Sequence, residues 1–286
     1  MVRRLTLLAG LVAGLACALP LNYTDPQGPR YIGGWGGLAP APRVAQTAGS
    51  LPIRVVTFNV KFAEHVDRAI DLLGSTTPLE DADIIALQEM DEPGTRRIAA
   101  ALGMAYVYYP ATVHPGTGRD FGNAILSRWP ITDDRKLILP RLARFGRTQR
   151  AAVAGTVLVG GAPVRVYSVH LGTGVTTGPK NKRDQVQTVL SDAASYEHVI
   201  IAGDMNSHKV GELFRTRGYA WPTEHQPHTD HFFNWDHIFL QGLQLRDSGS
   251  TGVVHDNHGA SDHRPVWAVL VLEPPAPQSP VPIFAP

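Results

Sequence analysis

Val199-Ile200-Ile201-Ala202-Gly203-Asp204-Met205-Asn206 passes from an unbroken apolar run directly into a carboxylate and an amide. A short apolar run rich in β-branched residues reads as a strand buried on both faces. Asp204 and Asn206 at its exit are out of place in such a core, because an unpartnered carboxylate is costly to desolvate. The stretch therefore predicts a buried strand that delivers polar side chains to a working site at its end.

The same arrangement recurs outward along the chain. Asn59 follows Val55-Val56-Thr57-Phe58, Glu89 follows the run Ile84-Ile85-Ala86-Leu87, and His170 follows Val166-Tyr167-Ser168-Val169. Asp236-His237 opens Ile238-Phe239-Leu240, and Ser261-Asp262-His263-Arg264-Pro265 precedes the apolar run from Val266 to Leu272. Taken singly, each has an ordinary explanation: Asn59 as a turn residue, Glu89 as a charge before a helix, Asp236 on the surface, His170 and His263 as core histidines. Together they form one constellation, and the oxygens of asparagine and glutamate suit a hard divalent cation such as magnesium.

Strands are expected over 53–58, 83–87, 124–127, 151–159, 164–169, 198–202, 235–240 and 266–272. Apolar stripes predict helices over 63–73, with Val66, Ala69, Ile70 and Leu73 on one side, and over 183–194, with Val186, Val189, Leu190 and Ala193. The result is a mixed α/β domain. With 43% apolar residues among 286, the chain has the core of one large domain and excludes disordered, collagen-like and disulfide-stapled classes.

Arg3 and Arg4, the apolar stretch from Leu5 to Leu19, and Ala16 and Ala18 before Pro20 read as a signal peptide over 1–18. The stretch is too short to span a bilayer, so no transmembrane helix is expected and the protein is read as exported, periplasmic or extracellular. Removing Arg3 and Arg4 takes the formal charge from +1 to −1, which leaves no broad basic field for nucleic acid. The single cysteine, Cys17, permits no disulfide; Gly14-Leu15-Ala16-Cys17 loosely resembles a lipoprotein box, so a lipid anchor on Cys17 is the alternative. Residues 19–50 are Gly- and Pro-rich and read as a poorly structured approach, the domain as 51–273, and 274–286 as a Pro-rich tail.

The ordered set Phe58-Asn59-Val60, Leu87-Gln88-Glu89, Gly122-Asn123-Ala124-Ile125-Leu126-Ser127, Ser168-Val169-His170-Leu171, Gly203-Asp204-Met205-Asn206, Asp236-His237-Ile238-Phe239 and Ser261-Asp262-His263 resembles the endonuclease/exonuclease/phosphatase superfamily. His170-Leu171 is most similar to its deoxyribonuclease I-like and sphingomyelinase-like branches. The resemblance implies a four-layer α/β/β/α sandwich of two packed mixed β-sheets flanked by helices. It also implies that Asn59 and Glu89 hold a catalytic magnesium, replaceable by manganese, with Asp262 near it. Asp204 and Asn206 would position the attacking water and a phosphate oxygen. His263, held by Asp236, would be the general base or a phosphate-binding imidazolium, and His170 would stabilise the transition state. Lys61, where relatives often carry an acidic or glutamine side chain, argues for one metal ion rather than two.

Arg141, Arg144, Arg147 and Arg150 recur every third residue, and Arg150, at a strand entry, is the expected phosphate contact, with Asn123 as a second substrate contact. His225, His228 and His231 have zinc-like spacing, but substrate contact or simple solvation is preferred. The expected activity is a magnesium-dependent phosphoric ester hydrolase, a phosphodiesterase with nuclease activity. The alternatives are hydrolysis of a phospholipid, sphingomyelin or inositol phosphate, and a catalytically silent surface-binding module. A monomer is expected.

Overall fold

The computed structural model describes residues 21–34 and 52–272. The expected signal peptide with Cys17 and the Pro-rich tail lie outside the described residues. In chain order the strands are β1 (Tyr31–Gly33), β2 (Ile53–Asn59), β3 (Ile84–Met90), β4 (Ala105–Val113), β5 (Asp120–Ser127), β6 (Ile131–Leu139) and β7 (Arg150–Val159). They continue with β8 (Ala162–His170), β9 (His198–Asp204), β10 (Asp236–Gln241), β11 (Leu243–Leu245), β12 (Thr251–Val253) and β13 (Val266–Leu272). Among the described residues four α-helices are interspersed, α1 (Val66–Ser75), α2 (Glu92–Leu102), α3 (Pro179–Ala193) and α4 (Gly211–Arg215), the last preceded by a 3-10 turn at His208–Val210. None is long and apolar enough to cross a membrane among the described residues.

One sheet runs β1-β4-β5-β3-β2-β13-β11, with β12 also on β13, and the other runs β10-β9-β8-β7-β6. Each contains one parallel pair, β2 with β3 and β8 with β9. Parallel neighbours need a crossover, and α1 and α3 supply it.

Alternation along the strands divides the apolar residues among three cores. Ile200 and Ala202 of β9 face Val55, Ile84 and Ala86 between the sheets. Val199 and Ile201 face Val186, Val189 and Leu190 of α3, together with Phe214 of α4. On the far side, Val56, Phe58, Ile85 and Leu87 meet Leu72, Leu73 and Ile98 of α1 and α2. The run at 199–202 is apolar throughout because both of its faces are covered. The layers are helix, sheet, sheet, helix, as the sequence predicts.

Beneath the strand ends, polar side chains tie the sheets together. Gln88 Nε2 donates to Ser168 Oγ at 3.1 Å, and Ser168 Oγ donates to Leu87 O at 2.9 Å. Asn123 Nδ2 donates to Ala151 O at 2.8 Å and to Ser168 O at 3.3 Å. The Asn123 amide nitrogen is thus committed across the sheets.

The reading of 19–50 as a poorly structured approach is also revised for its described part. β1 pairs antiparallel with β4, Tyr31 opposite Tyr108. The buried Lys136 of β6 donates to Tyr23 O at 3.0 Å and Gly28 O at 2.5 Å. A buried ammonium needs acceptors, and the arm's carbonyls provide them.

Gly203 sits at φ 153°, and a Cβ there would lie 1.9 Å from Val169 O. Only glycine lets β9 approach β8 this closely while holding Asp204 opposite His170. Gly203→Ala is expected to destabilise the fold by about 3 kcal/mol, read from the midpoint of urea denaturation.

Candidate active site

The strand ends converge on one edge of the sandwich. Asn59, His170 and Asp204 are the last residues of β2, β8 and β9, and Asp236 is the first of the antiparallel β10. Register places Asp204 opposite His170 on one side and opposite Asp236 on the other. Glu89 joins them through a β-bulge between Leu87 and Met90, at φ 58°, which re-aims its carboxylate. His263 arrives on the segment that leads into β13, the antiparallel neighbour of β2.

Asn59 Nδ2 donates to Glu89 Oε1 at 3.2 Å and to Asp204 Oδ2 at 3.1 Å, so the two sheets meet at this amide. Phe62 N donates to Glu89 Oε2 at 3.2 Å. Asn206, at φ 50°, donates its backbone N–H to Asp204 Oδ1 at 2.8 Å and its side-chain amide to Leu171 O at 3.1 Å. His263 Nδ1 lies 2.8 Å from Asp236 Oδ2, and its Nε2 lies 3.9 Å from Asp204 Oδ2. His170 Nε2 is 3.4 Å from Asp204 Oδ2 and 3.9 Å from Glu89 Oε1, while its Nδ1 is 3.0 Å from Arg150 Nη1. Arg150 also lies over the Phe121 ring, 4.9 Å from its centroid.

This crowding sets the charges. Burial raises the Glu89 and Asp204 carboxyls above the usual carboxylate range. Burial, then Arg150 and His263, holds His170 well below the ordinary histidine value, so it is neutral at pH 7. Burial acts in the same direction on His263, but Asp236, through charge and hydrogen bond, followed by Asp204 and Glu89, outweighs it and raises the imidazole well above its ordinary value. The two histidines are thereby set to opposite protonation states.

The site also contains Lys182, which the sequence reading missed. Its Nζ donates to Asn206 O, and burial pushes its ammonium down to about 8. In sequence it sits within Lys180-Asn181-Lys182-Arg183, which reads as a solvated helix face; only the fold turns one of these cations inward.

Asp262 is set apart. It is about one-third exposed and pairs with Lys61 at 3.5 Å, beside the Asn59–Glu89 pair rather than within it. In the histidine-rich loop His225, His228 and His231 are exposed, and His225 sits 3.6 Å from Glu224. Arg141, Arg144 and Arg147 are likewise exposed, leaving Arg150 as the inward member of its series.

Among the described residues, Asp204, Asp236 and His263 bring their ligand atoms within 4.8 Å of one another. Buried Asp236 Oδ1 and His170 Nε2 have no hydrogen-bond partner. Arg150 Nη1 donates to His170 Nδ1, so the neutral ring carries its proton on Nε2 and offers no lone pair there. Asp236 Oδ1 is the open acceptor, and with the buried Glu89 and Asp204 carboxylates it makes an oxygen donor set that fits a hard divalent cation.

The model of the endonuclease/exonuclease/phosphatase family matches residues 56–263. The chain belongs to that family. Its members act on phosphate esters and typically use divalent metals, and the donor set agrees with that chemistry. Among solved structures it is similar to an endonuclease/exonuclease/phosphatase from Beutenbergia cavernae DSM 12333, at 18% identity and TM-score 0.62, over 78% of this chain and 72% of that one. It also resembles sphingomyelinase C from Streptomyces griseocarneus, at 18% identity and TM-score 0.58, over 77% of this chain and 99% of that one. A third is D. rerio TDP2 in complex with a single-strand DNA product, at 15% identity and TM-score 0.61, over 77% and 99%. Identities this low establish a shared fold and leave the ester unspecified. Comparison with curated proteins gave no match.

Proposed function

We propose that the protein is an exported, divalent-metal-dependent phosphodiesterase. One observation carries the reading: the constellation lies between two cavities. Glu89 and Arg150 line one of about 330 Å³, together with Phe62, His114 and Phe121. Asn206 and Lys182 line the other, of about 620 Å³, together with Phe233 and Trp235. A phosphorus held between them has space for an esterified group on each side, which a diester uses and a monoester does not.

In this reading Asn59 and Glu89, with Asp262 beside them, hold the cation. When bound, it neutralises charge on a phosphate oxygen as a Lewis acid. Asp204 and the amide of Asn206 orient the attacking water and a phosphate oxygen. Asp236 fixes the His263 ring through Nδ1, so that Nε2 faces Asp204 and the reacting centre, where the imidazolium binds the phosphate. Neutral His170 and the Arg150 guanidinium stabilise the charge that develops on the equatorial oxygens. The silent-module alternative loses ground because the base, the orienting aspartate and the metal glutamate are all present.

Polynucleotides and lipid head-group diesters are the two substrate classes to assay. The mature protein is incubated with plasmid, sphingomyelin and inositol phosphates, with magnesium or manganese and with excess chelator. Diester hydrolysis is expected to fall by at least about a hundredfold in chelator and to return with either metal. Failure to cleave any phosphate ester with any divalent ion would hand the site to the binding-module reading. Export is checked by the N-terminal residue of the secreted protein, expected just after Ala18, or at a lipidated Cys17.

A further inference from the structure

We infer that the loops around the mouth of the cleft form a docking face for an anionic lipid surface, an orientation that rests on the phosphodiesterase reading of the cleft. Among the described residues, Phe145, Val175, Phe232 and Phe233 are 63%, 82%, 75% and 50% exposed. Large apolar side chains this open are ordinary when scattered singly, but these four share one rim. Phe145 stands at the smaller cavity and Phe233 at the larger. Val175 lies on the loop between them, flanked by Gly174 of the larger and Thr176 of the smaller. Arg144 N donates to Thr176 O at 2.9 Å, lacing two of the loops together. Phe233 stacks on Trp235, with centroids 4.6 Å apart and planes 5° apart, so the third loop presents its aromatic residues on a packed base.

Charge selects the partner. Segments 141–147 and 171–183 carry Arg141, Arg144, Arg147, Lys180, Lys182 and Arg183 and no acidic residue. Lys182 turns inward and Arg141 pairs with Asp184 at 3.4 Å, which leaves Arg144, Arg147, Lys180 and Arg183 exposed beside the apolar crests. The third loop, 225–235, adds three histidines and one acid, Asp230, so the cations flank the apolar crests from two of the three loops. Apolar crests beside such cations match a surface that offers acyl chains beneath anionic head groups. A nucleic-acid strand would satisfy the cations but has no use for Val175, the most exposed of the four, which offers no face on which a base can stack. The rim surrounds the cleft, so docking brings the site against the head groups, and the diester it takes lies in that surface.

The full mature chain is sedimented with vesicles of phosphatidylcholine alone and of phosphatidylcholine mixed with phosphatidylglycerol. Binding to the mixed vesicles is expected, weakening as salt rises. Val175→Ser/Phe232→Ser and Arg144→Glu/Arg147→Glu/Lys180→Glu are each expected to lower partitioning by about tenfold or more. Neither set lines the cavities, so hydrolysis of a soluble chromogenic diester should stay at the wild-type rate. The inference is overturned if the protein ignores anionic vesicles, if the variants bind as well as wild type, or if the substitutions instead abolish retention of a single-stranded oligonucleotide. Vesicle binding without hydrolysis of the soluble diester would leave the docking face standing and remove the phosphodiesterase reading.

Discussion

Replacing His263 with alanine is expected to lower kcat/KM for a phosphodiester by about a thousandfold, the range over which positioned proton transfer and charge stabilisation act. His263 is the cation set among Asp204, Asp236 and Glu89, and Asp236 at 2.8 Å fixes its ring. In the proposed mechanism alanine removes the group that would bind the phosphate, and it leaves Asp204 and Asp236 as buried neighbours without the charge between them. Some loss of stability is expected too, so His263→Asn, which keeps a polar group, is measured beside it, with circular dichroism confirming the fold of both. Asp236→Asn keeps the shape and weakens the orientation of the ring, and a smaller loss of about a hundredfold is expected. Wild-type turnover in folded His263→Ala would remove His263 from the mechanism.

The constellation was legible because its members sit where apolar runs end, and that signal is local. Asn59, Glu89, His170, Asp204, Asp236 and His263 converge from the strand ends at which the sequence places them. Lys182 was not legible, because what it does depends on a partner in another element. Strands β4 and β6, helix α2 and the pairing of β1 were hidden for related reasons. β4 (AYVYYPATV) contains Pro110, which demotes a strand prediction, and the fold accommodates it with a bulge between Pro110 and Thr112. β6 carries four consecutive charged residues, Asp133 to Lys136, and is tolerated as a strand at the edge of its sheet, with Lys136 neutralising its burial through the carbonyls of the N-terminal arm. In α2, Pro93-Gly94 reads as a turn, yet Pro93 lies in the first helical turn and Asp91 caps the helix by accepting from Gly94 N at 2.8 Å. The start of α1 moved from 63 to Val66 because Lys61, Phe62 and Ala63 all adopt positive φ, a left-handed stretch that no side-chain pattern announces.

Acidification is expected to destabilise the protein between pH 6.5 and about 4, in part through one buried histidine outside the proposed mechanism. His237 is fully buried beside Asp236. Its Nε2 lies 3.2 Å from Asn234 O, its Nδ1 3.4 Å from Thr223 Oγ1, and Trp221 packs edge-on at 5.0 Å. Burial pushes its imidazole down to about 4; the neighbouring Asp236 opposes this, and His208, with its ring 5.4 Å away, reinforces it. The folded pKa lies below the unfolded one, so between the two values the unfolded chain binds more protons than the native protein. Stability from this group is therefore intact above pH 6.5, declines as pH falls, and is fully lost below about 4. A difference of this size corresponds to about 3 kcal/mol. His237→Gln removes the titration and keeps a polar group in the same pocket, so groups common to both proteins cancel in the comparison. The stability gap between wild type and variant, measured by urea denaturation at steps from pH 7.5 to 4, should close or reverse as the solution is acidified. A gap that stays constant across that range would show that His237 keeps its ordinary pKa and that its burial costs the charged form nothing.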